Sequence, residues 1–406
     1  MSAPGSKVGH KEFAQLRKTF ETLLIRMLDN SQGKMNYEVE SCPLPRLFTQ
    51  KETEDLVGKT GPTLRTLEDR LVKEGVIKPV EKNPETGKRV GYRHNVILEL
   101  MKAAGTLPWR DAETDKPMII AIDSFKGGTG KTETTSHCLR NFAIKGYRVL
   151  GVDFDHQGSL TSSFGYIPDL AFSKKDTVIP YIKGDEETLH YAVKKTAWPN
   201  IDLIPGCMAL EDVNWALAFE AAGMDNDQDR RELYNELRAG LDTVADSYDI
   251  IIIDCPPSSS VNNFSILAAA DGIVVPIPPA KHDMASTTQF LAIAETLLGG
   301  TLKDKEYDFV RFLVTKYQNE GNRSTNDLQF FSTFKGALKD YCYDRVFRLM
   351  SPIKDASAQF TTVYEMTDPN KKILRELDAV FDQIEVDILH QWPSKTTQLA
   401  SVGYGV

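Results

Sequence analysis

The sequence predicts an α/β protein in which a parallel sheet is flanked by helices, with a smaller α-helical domain in front of it. From Met118 onwards, short apolar runs alternate with amphipathic stretches, which is the pattern of a parallel sheet wrapped by helices. One of those runs, residues 250–253, is apolar on both faces, as in a central buried strand. The first 110 residues carry 19 Lys and Arg against 14 Asp and Glu, although the whole chain has a net charge of −9. This reversal of sign predicts that the first part meets a polyanion.

The length and composition are those of an ordinary globular protein. At 406 residues the chain exceeds a typical domain, so we expect at least two domains. Its 41% hydrophobic and 26% charged residues exclude the disordered and collagenous classes. The five cysteines have no CxxC spacing, which argues against a disulfide framework and a zinc site. No apolar run approaches the roughly 20 residues of a membrane helix, and the polar start does not resemble a secretory signal. We therefore expect a cytoplasmic protein without membrane association.

Residues 1–40 contain one amphipathic helix, expected over residues 10–29. Its apolar side chains recur at spacings of three and four, namely Phe13, Leu16, Phe20, Leu23, Leu24 and Met27. Such a stripe can pack on its own domain or on a copy of itself. Both a core-facing helix and a dimerisation helix are therefore open.

Residues 41–105 have the order of a winged helix-turn-helix, followed by a linker at 106–117 and the sheet domain at 118–406. The expected elements are a helix at 49–57, a turn at 58–61, a helix at 62–74, and a hairpin of strands at 77–80 and 88–93. A helix on such a turn can enter the major groove of DNA while basic side chains neutralise phosphates. The candidate DNA contacts are Arg65, Arg70, Lys88 and Arg89. A small helical packing domain without nucleic acid is the alternative.

Within the sheet domain, the segment after the first strand is rich in glycine and lysine. The expected strands lie at 118–123, 148–153, 201–204, 250–254, 272–276, 309–315 and 345–349. The segment reads Lys126-Gly127-Gly128-Thr129-Gly130-Lys131-Thr132, and Glu133 follows it in the first turn of a helix. Backbone N–H groups of such a turn form a nest for a β-phosphate, the last lysine reaches the β- and γ-phosphates, and the threonine hydroxyl can bind Mg²⁺. The segment departs from the usual phosphate-loop pattern GxxxxGK[ST], because Phe125 stands where that pattern has its first glycine. The next residue is an additional lysine, Lys126. We call residues 126–132 the phosphate loop and expect it to bind ATP or ADP with Mg²⁺.

Two later strands end in aspartates that fit the same site. Asp153 and Asp155 point to one face of an extended chain, where they could serve the metal and the attacking water. Asp254 ends the strand at 250–254, at the carboxyl edge where open α/β sheets bind ligands. We expect all three carboxylates to belong to the nucleotide site.

The phosphate loop, the segment 153–159 and the segment 250–260 resemble the deviant Walker A, A′ and B motifs of the ParA family of partition ATPases. The resemblance implies a P-loop fold and a dimer that ATP closes, with the nucleotides at its interface. It implies that Lys126 reaches the partner's phosphates, that Lys131 is the phosphate-loop lysine and that Thr132 binds magnesium. It also implies that Asp155 orients the attacking water and that Asp254 holds the water shell of the metal. Hydrolysis and dimerisation should then be coupled, because the second lysine acts only in the dimer.

The resemblance extends to partners, and two positions depart from the family pattern. His156 stands where the family usually has Pro, and Glu133 where it usually has Thr. The basic region in front resembles the long plasmid-partition members, which implies repression of the protein's own operon. The resemblance further implies a ParB-like centromere-binding partner, nonspecific binding to nucleoid DNA and a nucleoid-associated location. The candidate contacts for nonspecific DNA are Arg345, Arg348 and Lys354.

Two other functions compete with partition. One is a nucleotide-gated transcription regulator, in which operator binding is the function and hydrolysis resets it. The other is a MinD-like positioning ATPase, which would associate with lipid through a basic amphipathic helix at the end of the chain. The final residues, 391–406, do not have that pattern.

Overall fold

The computed structural model describes most of the chain beyond residue 44. The described residues are 18, 19, 22, 45–87, 89–257, 261–318, 325–348 and 350–396. Of the helix predicted at 10–29, only residues 18, 19 and 22 are described, and they are helical. The rest of that prediction, like Lys88, lies outside the described residues.

The described chain contains one eight-stranded sheet. Its strands are β1 Met118–Ile122, β2 Val149–Asp153, β3 Lys194–Lys195, β4 Ile201–Ile204, β5 Ile250–Asp254, β6 Gly272–Ile277, β7 Phe309–Tyr317 and β8 Phe347–Arg348. They lie in the order β3-β4-β2-β5-β1-β6-β7-β8, and every neighbouring pair is parallel except β3 with β4. The predicted parallel sheet is confirmed. The edge strand β3 was not predicted, because two consecutive lysines carry neither an apolar run nor an alternation.

Helices cover both faces of the sheet. The helices in front of it are α1 Gln50–Val57, α2 Gly61–Lys73 and α3 His94–Ala104. Those that follow are α4 Lys131–Lys145, α5 Ser159–Ser163, α6 Pro168–Ala171, α7 Ile179–Ile182, α8 Leu210–Ala222, α9 Asp227–Ala245, α10 Val261–Ala269, α11 Lys281–Gly299, α12 Thr325–Leu338, α13 Ser351–Ser357 and α14 Lys371–His390. None of the helices in the described ranges has the length and apolar character needed to cross a membrane.

The strand β5 is central because both of its faces are covered. Ile251 and Ile253 pack into the layer that contains α8, α9 and α10, whereas Ile250 and Ile252 pack into the layer that contains α4 and α14. Successive side chains of a strand point to opposite faces, so four consecutive isoleucines fill both layers. Each fully buried isoleucine contributes about 1.5–3 kcal/mol relative to an exposed one.

The helices α1 and α2 are joined by a short turn at 58–60. Thr49 and Glu52 form a capping box at the start of α1, and Gly58 ends it in the left-handed conformation with φ of 65°. The predicted strand at 77–80 is wrong. After α2, the backbone turns at Gly75, with Val76 N–H donating to the Leu71 carbonyl at 2.9 Å, and Pro79 has no N–H for a ladder. The predicted hairpin is reduced to one bridge, Lys82 with Arg89.

The residues predicted as a linker, 106–117, are bound to the sheet. Arg110 is buried, and its guanidinium donates to the carbonyl groups of Tyr248, Asp115 and Asp246. The helix α3 contacts the far end of α4 through Asn200, whose amide oxygen lies 3.0 Å from His94 Nε2. The N-terminal helices therefore pack directly on the sheet and its helices.

Candidate functional site

The phosphate loop connects β1 to α4 at the carboxyl edge of the sheet. Gly128 and Gly130 have φ values of 75° and 94°, a backbone region that glycine adopts without steric cost. The Thr315 hydroxyl on β7 donates to the Thr129 carbonyl at 2.6 Å, and the Ser124 and Thr129 hydroxyls lie 2.7 Å apart. These bonds fix the shape of the loop, so its backbone N–H groups are held near the N-terminus of α4.

Lys131 lies beneath this loop. Its side chain is 6% exposed, and its Nζ atom donates to the carbonyl groups of Ser124 at 2.9 Å and Lys126 at 3.0 Å. The ammonium group is therefore held at the centre of the loop by neutral acceptors, which a phosphate can replace.

Thr132 and Asp254 form the oxygen-rich side of the site. The Thr132 hydroxyl donates to Asp254 Oδ2 at 2.7 Å, and the Thr135 hydroxyl donates to Asp254 Oδ1 at 3.2 Å. Asp254 is fully buried, and this burial raises the pKa of its carboxyl group. A hydroxyl and a carboxylate are the hard oxygen donors that magnesium prefers, and magnesium usually takes only one or two carboxylates from a protein. Within the described ranges, no group of three or more His, Cys, Asp or Glu side chains could hold a metal ion by itself. The residues present fit Mg²⁺ bound together with a phosphate.

Asp153 is the last residue of β2, and Asp155 lies in the loop that follows it. The Asp153 carboxylate accepts hydrogen bonds from the Thr161 N–H and hydroxyl, both at 2.7 Å, and from the Asp155 N–H at 3.2 Å. Burial raises the pKa of Asp153 well above its ordinary value. Asp155 is 7% exposed, and its Oδ1 atom accepts from the Gln157 N–H at 2.9 Å. Asp153 therefore positions the loop, and the buried Asp155 lies beside His156, whose Nδ1 atom is 3.5 Å from Asp155 Oδ1.

Lys126 is bound within its own protomer. Its ammonium group forms an ion pair with Asp283 in the first turn of α11. The Asp283 side chain is 6% exposed. Its other carboxylate oxygen, Oδ2, lies 3.3 Å from His282 Nε2. Lys126 itself is one-third exposed. Sequence reasoning missed Asp283, because an acidic residue in the first turn of a helix usually serves the helix dipole.

Asp123 is a second residue that sequence reasoning missed. It follows the last residue of β1 and precedes the phosphate loop by three residues, it is fully buried, and it accepts a hydrogen bond from Asn263 Nδ2 at 3.1 Å. Burial raises the pKa of Asp123 to about 7, and the nearby charge of Lys131 opposes that shift. A carboxylate after an apolar strand and before a glycine-rich turn is a signal that could have identified it.

Parts of the chain resemble known proteins. Residues 117–304 match the AAA domain family. Protein SopA of Escherichia coli strain K12 is 34% identical over 286 residues, which make up 69% of this chain and 71% of SopA. A ParA family protein of Chlamydia pneumoniae is 36% identical over 168 residues, 41% of this chain and 60% of that protein.

The chain belongs to the ParA family of partition ATPases. A solved structure of a partition protein aligns with a TM-score of 0.60 and 20% identity, and the alignment covers 92% of this chain and 98% of that one. At this identity the match shows a shared fold.

The basic side chains predicted to contact DNA differ in their surroundings in this ParA-family chain. Arg65 is exposed on α2, and Arg70 is exposed beside Glu74, with the charged groups 3.9 Å apart. Arg89 instead pairs at 3.2 Å with Glu68, whose side chain is 6% exposed. The hydroxyl of Tyr92 also donates to Glu68, at 2.9 Å. Arg89 therefore fixes the bridge that it forms with Lys82 to α2.

The second group of predicted DNA contacts lies at the other end of the chain. Arg345 and Lys354 are exposed, whereas Arg348 is half-buried and lies 3.7 Å from Glu376 on α14. Arg345 and Lys354 are therefore exposed to solvent, whereas Arg348 is held by its ion pair with Glu376.

Proposed function

We propose that this chain hydrolyses ATP in a nucleotide-sandwich dimer and partitions a plasmid or another low-copy replicon. One observation carries the proposal. In the phosphate loop, the Thr132 hydroxyl donates to the buried carboxylate of Asp254 at 2.7 Å, and the adjacent Lys131 ammonium is held at the centre of the loop by carbonyl groups. A cation for phosphates, a hydroxyl for magnesium and a buried carboxylate together suit phosphoryl transfer.

Each residue of the site would have its own role in ATP hydrolysis. The backbone N–H groups of the loop and the Lys131 ammonium bind the β- and γ-phosphates, in place of the carbonyl groups that Lys131 now contacts. Thr132 and Asp254 would hold magnesium, which when bound neutralises charge on the β- and γ-phosphate oxygens. Asp155 orients a water molecule for in-line attack on the γ-phosphorus. The attack breaks the bond to the β–γ bridging oxygen and yields ADP and phosphate.

Lys126 would couple this reaction to assembly. One ammonium group, that of Lys131, already belongs to the protomer's own loop, and a second from the partner neutralises charge that develops in the transition state. Because Lys126 is bound to Asp283 in the same protomer, it must leave this ion pair to reach the partner's phosphates. Slow hydrolysis by the monomer and faster hydrolysis by the dimer follow from this requirement.

DNA and a ParB-like centromere-binding protein are the proposed macromolecular partners. The exposed guanidinium groups of Arg65 and Arg70, with Lys88 and Arg89, would contact an operator and allow repression of the protein's own operon. Arg345, Arg348 and Lys354 would contact nonspecific DNA when ATP is bound, which gives a nucleoid-associated location. Membership of the ParA family, which the match to SopA shows, supports this proposal.

The decisive experiment measures ATP hydrolysis and sedimentation together. The Lys131→Gln variant should lose hydrolysis, while Lys183→Gln, an exposed lysine away from the loop, should retain it. The wild-type protein should be dimeric with a nonhydrolysable ATP analogue and less associated with ADP. Normal hydrolysis by Lys131→Gln, or a monomer under saturating ATP, contradicts the proposal.

A nucleotide-gated transcription regulator is the second candidate, favoured by the exposed Arg65 on a helix that follows a short turn. Partition predicts ATP-dependent binding to DNA of any sequence, with hydrolysis stimulated by a partner. Regulation predicts tight binding to one site. Binding to random and operator DNA at rising salt separates them, because contacts to phosphates weaken steeply with salt.

A further inference from the structure

The helix α8 has an apolar face that no part of the described chain covers. Leu210, Val213 and Leu217 turn inward and are buried in the layer of the core that contains α9 and α10. Trp215 and Phe219 lie on the opposite side of the helix and are 61% and 78% exposed. Among the described residues, no other large apolar side chain is as exposed as these two. A surface helix usually has one apolar and one polar face, whereas α8 is apolar on both.

Met208 extends the exposed side of α8 towards the start of the helix. It stands seven residues before Trp215, and its carbonyl oxygen accepts a hydrogen bond from the Glu211 N–H at 3.1 Å, so a turn leads directly into α8. Met208 is 55% exposed. Residues four and seven apart lie on one side of a helix. We call Met208, Trp215 and Phe219 the α8 face. Grouped apolar side chains with a polar border mark interaction sites, whereas single exposed ones are ordinary.

The border of the α8 face is acidic. Residues 208–229 contain six Asp and Glu and no Lys, Arg or His. Asp212 and Glu220 are exposed on α8 itself. The first cation that follows, Arg230, is bound to Asp227 of the same segment at 3.2 Å. The face therefore combines aromatic side chains with negative charge that no basic side chain within residues 208–229 neutralises.

This charge restricts what can cover the face. In a two-fold symmetric dimer the same patch occurs on both protomers, so each acidic border would meet its own copy, and like charges across an interface oppose binding. DNA is disfavoured for the same reason, because its phosphates are negative. A partner that carries positive charge and its own apolar side chains is complementary in both respects.

We propose that the α8 face docks a basic amphipathic helix of another protein. Apolar side chains of that helix, three and four residues apart, pack on Trp215, Phe219 and Met208. Its Lys and Arg side chains pair with Asp212 and Glu220. Large aromatic side chains dominate the binding energy of such interfaces, and methionine adapts its shape to a partner. The inference goes beyond the proposed function and requires neither ATP nor DNA.

The test is binding of fluorescently labelled peptides to the full-length protein, measured by anisotropy without nucleotide. The probe is a synthetic helical peptide with leucine on one face and lysine on the other. A second peptide has glutamate in place of lysine, and a third has the leucine and lysine residues in scrambled order. The amphipathic lysine peptide should bind roughly tenfold more tightly than either of the others, because only it combines an apolar stripe with positive charge.

Variants of the face locate the binding site. Trp215→Ala and Phe219→Ala should each weaken binding of the amphipathic lysine peptide roughly tenfold or more. Both should keep the wild-type unfolding temperature, since the two side chains lie outside the core. The double variant Asp212→Asn, Glu220→Gln should weaken binding roughly threefold to tenfold at low salt and less at high salt. The matched control is Tyr341→Ala, which removes a ring that is 60% exposed outside α8 and should bind like the wild-type protein.

Three results would overturn the inference. The first is that the amphipathic lysine peptide does not bind, or binds no more tightly than the glutamate peptide. The second is wild-type affinity in both Trp215→Ala and Phe219→Ala. The third comes from sedimentation with a nonhydrolysable ATP analogue: if either variant abolishes a dimer that the wild-type protein forms, a second copy covers the face. Because the peptide assay contains no nucleotide, a failure to hydrolyse ATP would refute the proposed function and leave this test intact.

Discussion

Replacing Asp283 by Asn should make the ATP-bound dimer form more readily. Asp283 holds Lys126 in an ion pair in which Asp283 is 6% exposed and Lys126 33% exposed. A charge-assisted hydrogen bond contributes about 1.5 kcal/mol at the lower end of its range, which suits a partly exposed lysine. Lys126 must give up this contribution before it can reach the phosphates of another protomer. The loss corresponds to about tenfold in an equilibrium constant, and a dimer contains two such lysines. We therefore expect the dimer dissociation constant of Asp283→Asn to fall by up to about 100-fold.

Sedimentation velocity over a range of protein concentrations, with a nonhydrolysable ATP analogue, measures this constant. The matched control is Asp382→Asn, which removes a different Lys–Asp ion pair, that of Lys145 at the far end of α4. The control should dimerise like the wild-type protein. If Asp283→Asn dimerises no more tightly than the control, while both remain folded, the ion pair does not restrain Lys126.

Three further predictions concern the buried charges and the basic surface. Asp254→Asn should reduce the rate of phosphate release from ATP by about 100-fold or more, because a neutral amide no longer balances the positive charge of Lys131 and magnesium at the site. Asp123→Asn should stabilise the nucleotide-free protein at pH 8, as measured by urea unfolding. The folded pKa of Asp123 is raised from 3.8 to about 7, so the wild-type protein loses stability as pH rises between those values. The full shift corresponds to at most about 4 kcal/mol, and a flat difference between wild type and variant from pH 4 to pH 8 would contradict it. Arg65→Ala should weaken DNA binding without lowering the melting temperature. Arg89→Ala should lower the melting temperature, because Glu68 stays buried without its cation, which costs about 1–3 kcal/mol of folding free energy. Equal melting temperatures for the two arginine variants would refute this distinction.

Much of the fold followed from local pattern. The isoleucine run of β5 predicts a central strand because only a strand covered on both faces can bury four consecutive isoleucines. The strand predicted at 77–80 failed for an equally physical reason. Ile77 is buried against the N-terminal helices as an isolated anchor after the turn at Gly75, and Pro79 cannot join a ladder. Periodicity alone does not distinguish a buried anchor from a strand residue.

The candidate site divides in the same way. The phosphate loop and Asp254 were predictable because each motif fixes its own place at the end of a strand, and parallel strands end at one edge. The ion pair of Lys126 with Asp283 was not, since the two residues are 157 positions apart and nothing in either segment names the other. The role of Asp153 also required the structure. Its spacing from Asp155 predicts a shared nucleotide face, but Asp153 Oδ2 accepts hydrogen bonds from Thr161 of α5, and Asp153 Oδ1 accepts one from the Asp155 N–H.

The helix α4 has a different neighbour at each end. It opens at Lys131 in the phosphate loop and closes at Lys145, a length of about 22 Å. At its closing end, Asn200 donates to the carbonyl groups of Ala143 and Tyr147 and also contacts His94 of α3. The helix α4 thus connects the anion-binding edge of the sheet to the N-terminal helices. A rigid tilt of α4 by about 5° about its first turn would displace its other end by about 2 Å, at the place where Asn200 contacts the N-terminal helices.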